Sequence, residues 1–241
     1  MPKINFNKFK VLTFDCYGTL IDWENGILLA LKPVLKKHTI RVGNKQILEL
    51  YAELESIAEK GKYTQYKNVL REVMRGLSKK LGFKPSYSEL NCLVDSLKNW
   101  KPFPDTVKAL QKLKKRFRLA IISNIDNDLL AFSARHLKVK FDYIITAEQV
   151  KSYKPSLNNF KAAIKRIGLS SKEILHVAQS IYHDIIPAKK VGLSNVWINR
   201  RKGKNGFGAI PPARCKPDFE VPDLKTLVFV IESNSKSLNT N

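Results

Sequence analysis

Short apolar segments alternate with helical segments of about ten residues along most of the chain after residue 105. The apolar segment at residues 11–14 has the same character. The predicted strands are residues 11–14, 117–123, 143–147, 174–178 and 195–198, and the predicted helices are residues 106–115, 127–137, 155–167 and 184–191. Short strands that alternate with helices are typical of βαβ units. The sequence therefore predicts an α/β fold built on a parallel sheet.

Residues 23 to about 81 follow a different pattern, with apolar residues at steps of three and four. This spacing predicts a helical hairpin or small bundle, inserted directly after the first strand. Ser86 is a candidate N-cap for a short helix that runs through Leu97. We therefore predict a core of residues 1–22 and 100–232, a helical cap of residues 23–99, and a flexible tail of residues 233–241. Residues 200–217 are predicted to form a loop.

The composition limits which cellular compartment and which class of protein the sequence fits. The chain has 241 residues with 44% hydrophobic content, enough for a substantial core. The sequence has no apolar run long enough to span a bilayer, and its first residues lack the apolar stretch of a signal peptide. Cys16, Cys92 and Cys215 are widely spaced and odd in number, which argues against a disulfide framework or a zinc site. We expect a cytoplasmic protein.

The formal net charge of +22 is the main compositional oddity. One interpretation is a polyanionic partner, because dispersed lysines attract phosphate backbones. The basic residues are scattered rather than gathered with interleaved aromatic residues, so we favour a solubilising surface over nucleic-acid binding. Such a surface also attracts small anionic substrates.

Four polar residues follow predicted strands or lie near their ends. Asp15 ends the first, Ser123 the second, and Asp184 comes shortly after the fourth, while Lys154 precedes a predicted helix. In a parallel sheet with right-handed crossovers these ends lie at one edge. The sequence therefore predicts that the four residues converge on one crevice.

The order of these residues resembles the haloacid dehalogenase superfamily. The detailed segments are Phe-Asp-Cys-Tyr-Gly-Thr-Leu at 14–20, Ile-Ser-Asn at 122–124, Ser-Tyr-Lys-Pro at 152–155 and Val-Trp-Ile-Asn-Arg at 196–200. They are similar to the type II 2-haloacid dehalogenase branch, over nearly the whole chain to about residue 230. The resemblance implies a Rossmann-like core with a helical cap after the first strand, in agreement with the pattern above.

The resemblance also implies roles for the residues at the strand ends. Asp15 is the candidate nucleophile, which forms an ester intermediate. Lys154 is expected to keep Asp15 ionised, and the hydroxyls of Thr19 and Ser123 to position its second oxygen. Asp184 is the candidate that activates the water which cleaves the ester, with a structural role at a helix N-terminus as the alternative.

Substrate binding is predicted less sharply than catalysis. The candidate substrate-binding residues are Tyr17, Trp23, Arg71, Asn124 and Ser180. Asn124 is expected to donate to a carboxylate or a departing halide, or else to form a turn. Arg71 is the candidate carboxylate anchor from the cap, with a solvated helix face as the alternative. Aromatic residues of the cap, Tyr51 and Tyr66, could complete an apolar wall, and His183 could assist proton transfer.

Two positions separate dehalogenation from phosphate transfer. The superfamily members that transfer phosphate carry a second acid two residues after the nucleophile and another acid at the position of Gln179, which helps to hold Mg²⁺. Here these positions are Tyr17 and Gln179. A phosphate ester's leaving oxygen then lacks its proton donor, whereas a halide leaves as a stable anion. We therefore predict a metal-independent hydrolase with no cofactor.

The function predicted from the sequence is hydrolysis of short 2-haloalkanoic acids to 2-hydroxy acids through an ester of Asp15. The alternative is a phosphatase or phosphonatase-like hydrolase that acts on a small phosphorylated metabolite. A nucleic-acid-binding protein with a vestigial site is a third hypothesis. The expected partner is a small anionic substrate, without a membrane, and dimerisation through the cap is left open.

Overall fold

The computed structural model describes residues 4–203 and 205–236. In this part of the chain six strands form one sheet: β1 (Val11–Phe14), β2 (Arg118–Ser123), β3 (Tyr143–Thr146), β4 (Ile174–Ala178), β5 (Ser194–Ile198) and β6 (Phe219–Val221). Their order is β3-β2-β1-β4-β5-β6, and every neighbouring pair is parallel. The predicted α/β fold with a parallel sheet is confirmed.

Helices cover both the sheet and the insertion. The described α-helices are α1 (Trp23–Lys37), α2 (Asn44–Ala58), α3 (Tyr66–Leu81), α4 (Tyr87–Leu90), α5 (Cys92–Ser96), α6 (Thr106–Lys114), α7 (Asn127–Leu137), α8 (Ala147–Val150), α9 (Leu157–Ile167), α10 (Ile186–Lys190) and α11 (Leu224–Lys236). Helices α1 to α5 all lie between β1 and β2 in the chain, as the apolar spacing predicted. Ser86 caps α4 by accepting from the Glu89 N–H.

The helical insertion packs through the apolar faces that its sequence spacing predicted. On α3 the buried side chains include Val69, Val73 and Leu77, at steps of four. Where the insertion returns to the sheet, the Trp100 ring lies against Gly26 of α1. A Cβ atom at position 26 would come within 2.5 Å of that ring, so this contact requires glycine. The helices of the cap therefore lie close to the carboxyl edge of β1.

The centre of the sheet is the most deeply buried part of the molecule. Every residue of β1 and β4 is buried, as expected for central parallel strands with helices on both faces. Since β1 lies between β2 and β4, the carboxyl ends of these three strands are adjacent. The strand order reverses between β1 and β4, which is where open α/β sheets place their binding crevice.

Three features of the fold differ from the prediction: one strand and two helix boundaries. Strand β6 pairs with β5 and was missed because it has only three residues. The helix predicted to begin at residue 184 starts as a π-helical turn at Ile181, because the Ser180 hydroxyl accepts from the His183 N–H and caps it earlier. Helix α11 continues to Lys236, so residues 233–236 of the predicted flexible tail are helical. Residues 237–241 lie outside the described residues.

Two expectations from composition concern the membrane and the cysteines. No helix in the described ranges combines the length and the apolar character needed to cross a bilayer. Cys16, Cys92 and Cys215 are free thiols. The cytoplasmic location stays a prediction.

Candidate active site

The polar residues from four chain segments meet at the carboxyl edge of the sheet. Asp15 directly follows β1, Ser123 ends β2, and Asp184 lies in the turn after β4. Lys154 comes from the loop between α8 and α9 and reaches the same point. All four line one cavity, as the strand order predicts.

Both carboxylate oxygens of Asp15 accept hydrogen bonds. The Lys154 ammonium donates to Oδ1 at 2.8 Å, and the Thr19 hydroxyl donates to Oδ2 at 2.6 Å. The backbone N–H of Gln179 donates to the Thr19 hydroxyl oxygen at 2.9 Å. Because that bond occupies a lone pair of Thr19, the hydroxyl proton is directed at Asp15.

Lys154 is buried, and its ammonium group donates to three oxygens. Besides Asp15, these are Asp184 Oδ1 at 2.7 Å and the carbonyl oxygen of Ile122 at 3.0 Å. An ammonium has three N–H donors, so this arrangement uses all of them. Burial alone lowers the pKa of Lys154, but the two carboxylates outweigh burial and raise that pKa above its ordinary value. The lysine therefore stays charged.

The two carboxylates differ in acidity because their partners differ. Burial, together with the charge of Asp184, raises the pKa of Asp15 despite the opposing effect of Lys154. Burial also acts on Asp184, but Lys154 and His176 outweigh it and lower the pKa of that carboxyl. Asp184 is therefore the group that stays ionised, and Asp15 is the more sensitive to protonation as the pH falls.

His176 supports Asp184 from beneath the site. Its Nε2 lies 3.0 Å from Asp184 Oδ1, and its Nδ1 lies 2.9 Å from the Thr13 hydroxyl. An imidazole N–H that donates to Asp184 leaves Nδ1 to accept from Thr13. The sequence reasoning missed His176 because it stands inside an apolar strand. A usable signal was present, since Thr13 and His176 are polar residues in adjacent buried strands.

The cavity at this edge has a volume of about 40 Å³. One water occupies about 10–15 Å³ by the same measure, so the cavity admits a small molecule. It is lined by Asp15, Tyr17, Trp23, Glu55, Tyr66, Ser123, Asn124, Lys154, Ser180, His183, Asp184 and Ile210. Among the described residues, Asp184 Oδ2 is a buried carboxylate oxygen that has no hydrogen-bond partner. Its lone pairs are therefore free to accept a hydrogen bond.

The donor set is a poor match for a divalent cation. Mg²⁺ prefers several anionic oxygens, and both oxygens of Asp15 are already hydrogen-bonded. Beside Asp15, the buried side-chain oxygens that have no partner among the described residues are Asp184 Oδ2 and the amide oxygen of Gln179. One carboxylate oxygen and one neutral amide oxygen, beside the Lys154 ammonium, do not fit Mg²⁺. Within residues 4–203 and 205–236, no group of three His, Cys, Asp or Glu side chains is arranged to hold a metal.

Comparison with known proteins identifies the family. A family model described as haloacid dehalogenase-like hydrolase matches residues 9–192. This chain belongs to that family. The resemblance inferred from the sequence is therefore confirmed, and the protein is a hydrolase.

Relatives of this hydrolase include proteins with two different activities. The chain is 27% identical over 229 residues to an (S)-2-haloacid dehalogenase of Pseudomonas sp. strain YL, a match that covers 93% of this chain and 95% of the relative. It is 28% identical over 200 residues to a glyceraldehyde 3-phosphate phosphatase of Methanothermobacter thermautotrophicus, covering 79% and 85%.

A solved structure shares the fold. The L-2-haloacid dehalogenase from Xanthobacter autotrophicus with chloropropionic acid covalently bound superposes with a TM-score of 0.75 at 21% identity. The match covers 93% of this hydrolase and 98% of that chain. At this identity the likeness concerns the fold alone.

Two residues predicted at the site have tasks that differ from the prediction. Ser123 lines the cavity, but among the described residues its hydroxyl has no hydrogen-bond partner, so Thr19 alone holds Asp15 Oδ2. Asn124 accepts from the Lys154 N–H at 2.6 Å and donates to the Lys154 carbonyl oxygen at 3.0 Å. Its amide group therefore fixes the loop that carries Lys154, which is a positioning role.

The structure contradicts the prediction that Arg71 anchors the substrate. Its guanidinium donates to Asn91 Oδ1 at 2.9 Å and to Asn68 Oδ1 at 2.8 Å, both within the cap. Arg71 is not among the residues that line the cavity. The helix periodicity places Arg71 on a different face of α3 from the buried Tyr66, and Arg71 therefore does not reach the cavity that Tyr66 lines.

The other predicted contacts line the cavity. Tyr17 bonds the Ser133 hydroxyl at 2.9 Å and packs edge-on against Trp100. Trp23 packs edge-on against Tyr51 of α2. The Ser180 hydroxyl lies 3.2 Å from Nδ1 of His183. Burial lowers the pKa of His183 to about 4, so its imidazole is neutral near pH 7.

Two carboxyl groups from the cap were missed by the sequence reasoning. Glu55 of α2 is buried and lines the cavity. Glu59, one turn further on, lies 3.3 Å from the Asn124 amide, and burial raises its pKa well above the ordinary value. In the sequence both residues look like the solvated face of an acidic helix. No local signal distinguishes them, because their burial depends on how the cap closes over the sheet.

Proposed function

We propose that this hydrolase displaces halide from short 2-haloalkanoic acids through an ester with Asp15, giving 2-hydroxy acids. The observation that carries the proposal is the Lys154 bridge between Asp15 and Asp184. This bridge supplies one ionised nucleophile, one fixed cation and one further carboxylate in a small cavity. Similarity to (S)-2-haloacid dehalogenases over nearly the whole chain supports the same choice.

In the first step an oxygen of Asp15 attacks the carbon that bears the halogen. A carbon–oxygen bond forms, the carbon–halogen bond breaks, and the halide leaves with the bonding electron pair. No proton is needed at the leaving group, which suits a site with Tyr17 where an acid would otherwise stand. Lys154 and Thr19 hold the attacking carboxylate in place.

In the second step water attacks the carbonyl carbon of the ester. Asp184 Oδ2, the buried oxygen without a partner, accepts the water's proton as the new bond forms. The ester's carbon–oxygen bond on the acyl side then breaks, and the product's alkoxide oxygen takes that proton from Asp184 to become the hydroxyl. The water's second proton passes from the new carboxylic acid of Asp15 to solvent, which restores the Asp15 carboxylate. His176 and Lys154 keep Asp184 oriented through its other oxygen.

The second candidate is a phosphatase, favoured by the similarity to glyceraldehyde 3-phosphate phosphatase. The donor set argues against it, because Tyr17 and Gln179 remove the proton donor and the second magnesium carboxylate. Direct measurement separates the two functions.

Halide and phosphate release should be measured on both enantiomers of 2-chloropropionate and on a panel of small phosphate esters, with and without EDTA. We expect halide release that EDTA leaves unchanged and that Asp15→Asn abolishes. The exposed Asp95→Asn variant is the matched control and should retain activity. Magnesium-dependent phosphate release without halide release would establish the phosphatase instead.

A further inference from the structure

The cap presents a hydrogen-bonded cluster of one carboxyl and two phenols to the catalytic cavity. Glu55 and Tyr51 lie on α2, and Tyr66 begins α3. Tyr66 donates to Glu55 Oε1 at 2.5 Å, and Tyr51 donates to the same oxygen at 3.1 Å. The two phenol oxygens are 3.0 Å apart. All three side chains are buried, and Glu55 and Tyr66 line the cavity.

The two phenols determine which oxygen of Glu55 carries a proton. Because both donate to Oε1, that oxygen acts as an acceptor. The other oxygen, Oε2, has no hydrogen-bond partner among the described residues. A protonated Glu55 therefore carries its proton on Oε2, where it is free to donate to a ligand in the cavity.

Burial favours the protonated form of this carboxyl. It raises the pKa of Glu55 to about 7, although the hydrogen bonds from Tyr66 and Tyr51 oppose the shift. No cation in the described part of the chain pairs with the group, in contrast to Asp15 and Asp184, which share Lys154. Near neutral pH Glu55 is therefore close to the midpoint of its titration.

Several other titratable groups face Glu55 from the elements around it. Glu59 directly follows the last residue of α2, one turn after Glu55, and Tyr153 lies in the loop that carries Lys154. Across the cavity are Asp15, Asp184, Lys154 and His183. His183 is neutral near pH 7, and burial raises the pKa of Glu59 well above its ordinary range.

The charge of the cavity creates a problem for an anionic substrate. Asp15 and Asp184 share the single ammonium among the described lining residues, that of Lys154, which already donates all three of its hydrogens. Among the described lining residues there is no arginine. An entering carboxylate therefore depends on neutral hydrogen-bond donors, and it is repelled by an ionised Glu55.

We propose that Glu55 is the specificity-determining group of the cap: its carboxylic acid donates from Oε2 to the carboxylate of the haloacid, so the substrate binds to the protonated form. This rests on the proposed function for its substrate class. Above neutral pH a haloacid then binds with uptake of one proton by Glu55. A neutral amide analogue has N–H donors for the ionised carboxylate, so its binding does not require that proton.

The first test compares KM for 2-chloropropionate and 2-chloropropionamide between pH 6 and pH 9. In the natural protein we expect the ratio of the two values, acid over amide, to rise about tenfold for each pH unit above pH 7. The ratio cancels the titration of Asp15, which affects both substrates. A ratio that stays constant over this range overturns the proposal.

Three variants test whether Glu55 causes the pH dependence of this ratio of KM values. Glu55→Gln keeps an N–H donor at every pH, so its ratio should stay low and constant. Tyr66→Phe removes a bond that lowers the Glu55 pKa, so the rise should begin at higher pH. Glu53→Gln, an exposed position on the same helix, should follow the natural protein. A Glu55→Gln profile that rises in parallel with the natural protein contradicts the proposal.

The second test does not depend on turnover. Propionate has the substrate's carboxylate without the halogen, and its binding is measured by calorimetry at pH 8 in two buffers of different ionisation enthalpy. We expect an uptake of nearly one proton per propionate in the natural protein and none in Glu55→Gln. Binding without proton uptake, or no binding at pH 6, overturns the inference. Absence of halide release with intact proton uptake would instead refute only the proposed function.

Discussion

The sheet edge and the cap form opposite walls of one cavity, and they hold their carboxyl groups in different ways. At the sheet edge Lys154 joins Asp15 and Asp184 at 2.8 and 2.7 Å, so each negative charge has a cationic partner. In the cap Glu55 is held by two phenols, and no cation of the described residues pairs with it. The sheet edge is therefore a paired wall, whereas the cap is an unpaired wall in which burial raises the pKa of Glu55 to about 7. The two proposals above accordingly place the chemistry at the paired wall and the selection of the substrate at the unpaired wall.

The largest expected effect comes from breaking the paired wall. Lys154→Met leaves two buried carboxylates facing each other without a cation, which costs about 3–5 kcal/mol of stability. Asp15 then binds a proton more readily and loses its orientation, so we expect kcat to fall by about three orders of magnitude. Steady-state halide release and urea unfolding measure the two effects. Lys161→Met, at an exposed position on α9, is the control.

The titration of Glu55 in the unpaired wall should appear as a pH dependence of the unfolding free energy. The pKa of Glu55 is raised from 4.5 to about 7 in the folded protein. Its protonated form is therefore favoured by folding, and the unfolding free energy falls as the pH rises from about 4.5 to about 7. The loss is about 3 kcal/mol, which Glu55→Gln should remove. Urea titrations at pH 5 and pH 8 check this: equal losses in both proteins would show that Glu55 does not titrate as described.

A smaller effect is expected from the support beneath the paired wall. His176→Phe removes the donor to Asp184 and leaves the Thr13 hydroxyl without its main partner, a loss of about 1–3 kcal/mol. The second step should slow by about tenfold, because Asp184 loses its orientation. A burst of halide before the steady state would then appear, since the ester accumulates. His136→Phe, at a partly exposed position that does not line the cavity, should show no burst.

The smallest effect is expected at Arg71, which belongs to neither wall. Its partners Asn68 and Asn91 lie within the cap. Arg71→Ala should change KM for 2-chloropropionate by less than about twofold, as for surface positions away from a site. A tenfold rise in KM would return Arg71 to the role of carboxylate anchor and weaken the case for Glu55.

The contrast between the sheet edge and the cap also explains which site residues could be predicted from the sequence. A parallel sheet fixes where the carboxyl ends of its strands lie, so Asp15 and Asp184 could be brought together from strand order alone. His176 was overlooked because it stands inside an apolar strand, although its partner Thr13 lies opposite it on the neighbouring strand. For Glu55 the difficulty is greater, because a polar residue on an amphipathic helix is ordinarily exposed. Its burial depends on the tertiary contact between cap and sheet, which helix periodicity does not encode.

The charge of the protein surface differs from the charge of the cavity. The net charge of +22 describes the surface and not the cavity, where the described lining residues include three carboxyl groups and one ammonium. A basic surface attracts anions in general, whereas the proposal for Glu55 concerns selection among them inside the cavity. The absence of nucleic-acid binding stays a prediction, and dimerisation through the cap stays open.

The ester at Asp15 is tested most directly by a single turnover of 2-chloropropionate in water enriched in oxygen-18, with enzyme in excess. The account predicts that the new hydroxyl oxygen of the product is oxygen-16, because it comes from Asp15. Mass spectrometry of the peptide that contains residue 15 should then show one oxygen-18 in that peptide. Oxygen-18 in the product and none in the peptide would mean that water attacks the substrate directly, and the covalent mechanism would be wrong.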